Sequence, residues 1–85
     1  MTADVRPVSW WHIVVDLERH GYTHALIAAA VDVGRSTVQG WKNLDATPRH
    51  DDGERLIALW LDVTKRTRDD LPRRATDILS AAALR

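Results

Sequence analysis

Apolar residues recur along the chain at helical intervals, in blocks separated by short polar stretches. In the first block Trp10, Ile13, Val14 and Leu17 form one stripe of a helix that Ser9 caps and that runs to about His20, where Gly21 is placed to stop it. Trp11 and Val15 flank that stripe and read as the rim of the core ahead of a partner surface, while His12, Asp16 and Arg19 fall on the opposite side. Ile27, Ala28 and Val31 carry a second helix capped by Thr23; Asp32 and Val33 interrupt, and Val38 and Trp41 belong to a third helix behind Gly34. Asn43 to Pro48 is a loop, since Pro48 turns Thr47 away from helix. A fourth helix opens near His50 to Asp52, with acidic residues in its first turn where they complement the helix dipole, and ends near Lys65 or Arg66. Leu56, Leu59, Trp60 and Val63 mark its core side; Ile57 and Leu61 widen the stripe beyond what a small core needs, so both are assigned to the last helix or to a second subunit. After the polar break from Thr67 to Asp70, a terminal helix is expected, capped by Asp69 or Asp70 with Pro72 near its first turn. Leu71, Ala75, Ile78 and Ala82, with Leu79 adjacent, give it a coiled-coil-like stripe. Folding back on its own chain and contact with a second copy are both open for this helix, and the dimer contact is favoured narrowly.

The centre of this pattern is the corner between the second and third helices. A tight turn between helices needs one residue with positive φ, a role for glycine or, less often, for Asn or Asp, and Asp32 stands there. Ala28 is small enough for close approach of the third helix, Val33 fills the space under the turn, and Val38 and Trp41 anchor the third helix on the core. Arg35, Ser36, Gln39, Gly40 and Lys42 then face outward.

On these residues the stretch YTHALIAAAVDVGRSTVQGWKN resembles the helix-turn-helix of the phage repressor and Cro-like transcriptional regulators. The matching positions are His24 opening the first helix, the Ile27-Ala28 pair, Val31, the turn residue, Val33, the run Arg35-Ser36-Thr37-Val38 and the closing Trp41. Asp32 replaces the usual turn glycine and Gly34 the usual Ser or Thr cap. The resemblance implies an all-α, lambda-repressor-like fold, a compact bundle of about five helices around a central helix-turn-helix. It also implies a sequence-specific double-stranded DNA-binding regulator of bacterial or phage type, acting as a homodimer on a two-fold related site.

Eighty-five residues bound the chain to one domain, with residues 1–8 as an arm and 67–85 as the terminal helix. A chain of this size buries roughly 60 to 65% of its unfolded surface and folds with little stability to spare. The absence of cysteine excludes disulfides and thiolate metal sites. No apolar run is long enough to span a bilayer and no secretory leader is apparent, so no membrane contact and a cytoplasmic location are expected.

The formal net charge of zero weighs against nucleic-acid binding, whose sequence-independent part comes from neutralising phosphates. Distribution softens the objection. Residues 33–50 carry Arg35, Lys42 and Arg49 against Asp45, whereas residues 51–62 carry Asp51, Asp52, Glu54 and Asp62 against Arg55.

If the third helix enters a major groove, its N-terminal residues meet base edges, and the planar fork of Arg35 matches guanine best. Ser36 and Gln39 are the next candidates, and Gly40 occupies a position that in the resembled family often carries a base-contacting side chain. Phosphate contacts are expected from His24, Thr37, Lys42, Asn43 and Arg49, each of which is otherwise an ordinary surface polar group. Ile57, Leu61, Leu71, Ala75, Ile78, Leu79 and Ala82 are the expected dimer or partner surface. His20 and His24 stand four apart, but Gly21 breaks the helix between them and no third ligand is near, so no metal is expected. Nothing suggests a catalytic constellation, a cofactor or a small-molecule effector. The reading from a different class is a protein-binding module, an antitoxin or phage adaptor, using Trp11, Val15, Ile57 and Leu61.

Overall fold

The computed structural model describes residues 7–44 and 46–74. Within them lie four α-helices: α1 (Trp10–Arg19), α2 (His24–Val31), α3 (Arg35–Asn43) and α4 (His50–Thr64), followed by one 3-10 turn (Arg68–Asp70). The fold is all-α, and the only β pairing among the described residues is an isolated bridge.

α1 buries Ile13, Val14 and Leu17 completely. Ser9 does not cap it with its side chain, since its hydroxyl pairs with His12 Nδ1 at 2.9 Å. The helix ends where Gly21, at φ +93°, lets Tyr22 N–H reach back to the Leu17 carbonyl at 3.0 Å. Asp16 is not on a solvent face as its spacing suggested. It is half-buried, and its carboxylate accepts the indole N–H of the wholly buried Trp60 at 3.0 Å.

Thr23 opens α2 by accepting the Leu26 N–H at 3.1 Å, as its position suggested. Asp32 closes it in the left-handed region, at φ 61° and ψ 50°, with its N–H on the Ala28 carbonyl. Val33 N–H bonds to that same carbonyl at 3.0 Å, which folds the chain sharply into α3. Gly34, with ordinary negative φ, precedes α3 without a side-chain cap. The corner also has a brace that the sequence did not suggest: Arg55 of α4 donates from Nε to the Val31 carbonyl at 2.9 Å, placing a cation at the C-terminus of α2.

α1 and α2 each pack against both α3 and α4. Ile27, Ala28 and Val31 from α2, and Val38 and Trp41 from α3, meet the α1 stripe in one core. The buried face of α4 is Gly53, Leu56, Ile57 and Trp60, a stripe turned by about one residue from the expected one, so Leu59 and Val63 lie half-buried at its edge. The turn has a steric reason: at Gly53 a Cβ would stand 3.0 Å from Cη2 of Trp10, so the missing side chain lets α1 and α4 close together.

Beyond α4 no helix opens at Asp69 or Asp70, and the remainder of the expected terminal helix, from residue 75 on, lies outside the described residues. Asp70 closes a 3-10 turn, its carboxylate accepting the Thr67 N–H at 3.1 Å, and Leu71 then runs extended at ψ 133° ahead of Pro72. Arg73 bridges antiparallel to Val8; Ser9 N–H reaches the Pro72 carbonyl at 2.8 Å and Arg74 N–H the Pro7 carbonyl at 2.9 Å. Residues 7 and 8, expected in a loose arm, are therefore tied down. Ile57 and Leu71 are covered by their own chain, 3% and 5% exposed, which removes both from the expected partner surface. Leu61 is half-buried, and Ala75, Ile78, Leu79 and Ala82 lie outside the described residues.

The pairing of Asp16 with Trp60 sets a testable cost. Asp16→Ala leaves a buried indole N–H without an acceptor and is expected to lower unfolding stability by about 1 to 3 kcal/mol. Arg19, mostly exposed and 4.0 Å from Asp16, is expected to matter by less than about 0.5 kcal/mol when changed to Ala. Urea unfolding of both variants checks the contrast.

Candidate nucleic-acid interface

Two buried side chains set the rotation of α3. Val38 is fully buried and Trp41 2% exposed, so residues on the far side of the helix must face water. Arg35, Ser36, Thr37, Gln39 and Asn43 are all exposed. The side chains of Arg35 and Gln39 make no hydrogen bond or ion pair among the described residues, and the same holds for the exposed side chain of Arg49. Gly40 is half-buried on the flank of α3, and its carbonyl accepts N–H groups from both Leu44 and Ala46. A Cβ at Gly40 would meet that of Ala46 at 3.9 Å, an ordinary contact, so crowding within the chain does not demand glycine there.

Six of the nine expected contacts line two hollows, and Ser36, Lys42 and Asn43 line neither. Glu18, Thr23, His24, Ala25, Arg35 and Gln39 line one of about 300 Å³, between the start of α2 and the outer side of α3. Thr37, Gly40 and Arg49 line the other, of about 520 Å³, between the corner and the start of α4, with Asp32 and Asp52 also on its wall. The outward side of α3 is thus a ridge between two depressions, with Arg35 on one flank and Arg49 across the other.

His24 and Lys42 are placed differently from the rest. His24 Nε2 stands 2.8 Å from Glu18 Oε2, and Lys42 Nζ lies 2.9 Å from Oε1 and 3.0 Å from Oε2 of the same carboxylate. All three side chains are between 19% and 29% exposed. Glu18 was not among the residues singled out from the sequence, and no local pattern would find it, because Lys42 is 24 positions away. Burial would raise the Glu18 pKa, but the hydrogen bonds and positive charge of Lys42 and His24 outweigh it and hold the carboxyl below its ordinary 4.5.

Trp11, one of the two flanking residues of α1, is 42% exposed with its ring edge-on to His12 at 4.7 Å, while Val15 is half-buried. The outer side of α2 is apolar throughout: Ala25, Leu26, Ala29 and Ala30 are exposed. Among the described residues no group of three or more His, Cys, Asp or Glu side chains gathers as metal ligands, and no helix is long and apolar enough to cross a membrane. No family model matches the sequence, and neither a curated protein nor a solved structure matches it.

A carboxyl with a depressed folded pKa stabilises the fold above its unfolded value and loses that contribution as pH falls through the folded one, because the unfolded chain takes up the proton first. Glu18 is therefore expected to make the chain less stable as pH drops below 4.5. Thermal unfolding of wild type and Glu18→Gln between about pH 3 and 7 checks this. The difference between them is expected to shrink toward the acid end, and a constant difference would show that the carboxylate charge is not what holds the three helices.

Proposed function

We propose that this chain is a sequence-specific double-stranded DNA-binding transcriptional regulator of bacterial or phage type, a helix-turn-helix protein of the repressor and Cro-like kind that reads the major groove with α3. The observation that carries this reading is the combination of the Asp32 corner with the burial of Val38 and Trp41, which leaves Arg35, Ser36 and Gln39 outward and Arg35 and Gln39 without partners. Arg35 would form the principal base contact through its two-pronged guanidinium, and Ser36 and Gln39 would read neighbouring pairs. Thr37, Asn43 and Arg49 would meet phosphates directly, and His24 and Lys42 would do so from the Glu18 node.

The action proposed is occlusion or recruitment at a promoter, without chemistry. Zero net charge limits sequence-independent affinity, so a single copy would bind weakly. Two copies on a two-fold related site would place their recognition helices about 10 to 10.5 base pairs apart, on one face of the duplex. A second reading, a protein-binding module on the same fold, has two observations in its favour: the exposed apolar side of α2 around Leu26 and the exposed ring of Trp11. Ile57, a contact expected for such a module, is in the core.

Selection from random duplex DNA separates the two readings. An enriched motif is expected, and Arg35→Ala should weaken binding to it by about 1 to 3 kcal/mol while relaxing preference at one base pair. Selection without enrichment, or an Arg35→Ala variant that binds as wild type, would remove the regulator reading.

A further inference from the structure

Glu18 stands in the last turn of α1, where α2 begins and α3 ends, and it is the acidic side chain lining the hollow beside Arg35. Its two oxygens hold Lys42 at 2.9 and 3.0 Å, and one of them also holds His24 at 2.8 Å. A carboxylate offers these donors the same kind of charged acceptor oxygens that a phosphate diester offers. Thr23, Ala25, Arg35 and Gln39 line the rest of the hollow, so an anion arriving there would meet the guanidinium of Arg35 as well. None of the three paired side chains is sealed from water, so the carboxylate can be displaced without opening the core.

We propose that Glu18 is a built-in competitor for phosphate: in the unbound chain its carboxylate occupies the donors of His24 and Lys42 that a duplex backbone would otherwise engage, and so lowers sequence-independent affinity. The inference rests on the reading in which α3 meets DNA. Two of the five side chains expected to touch phosphate are withheld in this way, whereas Arg35 and Arg49 have no partner among the described residues. A partly exposed ion pair stabilises a fold only weakly. Its larger consequence is what it denies to other anions, which leaves binding more dependent on base contacts.

Glu18→Gln in the full chain, with helicity checked by circular dichroism, tests this against two probes: a heparin column and a random-sequence duplex. Glu54→Gln controls for net charge, since Glu54 is an exposed carboxylate that pairs with Arg68 and lines a hollow with Arg49, not with His24 and Lys42. Glu18→Gln is expected to leave heparin at higher salt than both wild type and Glu54→Gln. Its slope of log affinity against log salt on the duplex is expected to steepen by about 0.9 to 1.8, one or two phosphates' worth. In a Lys42→Met background the gain should largely vanish. Glu18→Ala serves as the second variant if the amide disturbs the node. Equal shifts for Glu18→Gln and Glu54→Gln, or none for either, in folded protein would overturn the proposal. A heparin shift particular to Glu18→Gln, with no duplex bound by any variant, would uphold the competition for anions and overturn the regulator reading alone.

Discussion

The burial of Val38 and Trp41 under α3 is the constraint on which the rest depends. Removing a large apolar side chain from water is worth about 1.5 to 3 kcal/mol, and two on one short helix fix its rotation about its axis. Against this stands the left-handed backbone at Asp32, which costs an ordinary L-residue about 1 to 2 kcal/mol and an aspartate less. The anchors outweigh the strain. The absence of a side-chain cap at Gly34 is a smaller debit, a few tenths of a kcal/mol relative to Ser or Asn. Arg55 offsets part of both by capping the Val31 carbonyl from α4.

Rotation decides chemistry here. With Val38 and Trp41 inward, Arg35, Ser36 and Gln39 have no choice but to face solvent, and they do so between two depressions whose walls come from α1, α2 and the start of α4. Charge is distributed unevenly over this surface. Arg35 and Arg49 stand without partners among the described residues, while His24 and Lys42 are drawn onto Glu18. A chain of zero net charge thus presents a local cationic edge with an internal brake on it, and the Glu18 carboxylate ties α1, α2 and α3 into one unit at the same point.

Much of the fold was legible in the spacing of apolar residues. The stripes of α1, α2 and α3, the Thr23 cap, the stop at Gly21 and the left-handed Asp32 all follow from local rules, because helix spacing and turn chemistry act over a few residues. Local rules also held the clue to one miss. Pro48 keeps Thr47 out of a helix, and the same restriction applies to Leu71 before Pro72, where the chain runs extended and pairs with residues 7 to 9. The remaining misses needed distant partners. Spacing alone puts Asp16 on a solvent face, and only the folded chain brings Trp60 to it across 44 positions; Ile57 likewise exceeds what a single helix stripe requires, and its burial belongs to the packed chain. For the candidate site, the outward residues of α3 could be named from the sequence, but the acid that holds His24 and Lys42 could not.

Backbone amide mapping by NMR, with an enriched duplex titrated into the labelled chain, tests most directly whether the outward side of α3 is the working surface. Shifts centred on Arg35, Ser36, Thr37 and Gln39, with Leu26, Ala29 and Ala30 unmoved, are the expected result. Shifts confined to the outer side of α2 or to Trp11, or none at any ratio of duplex to protein, would contradict it.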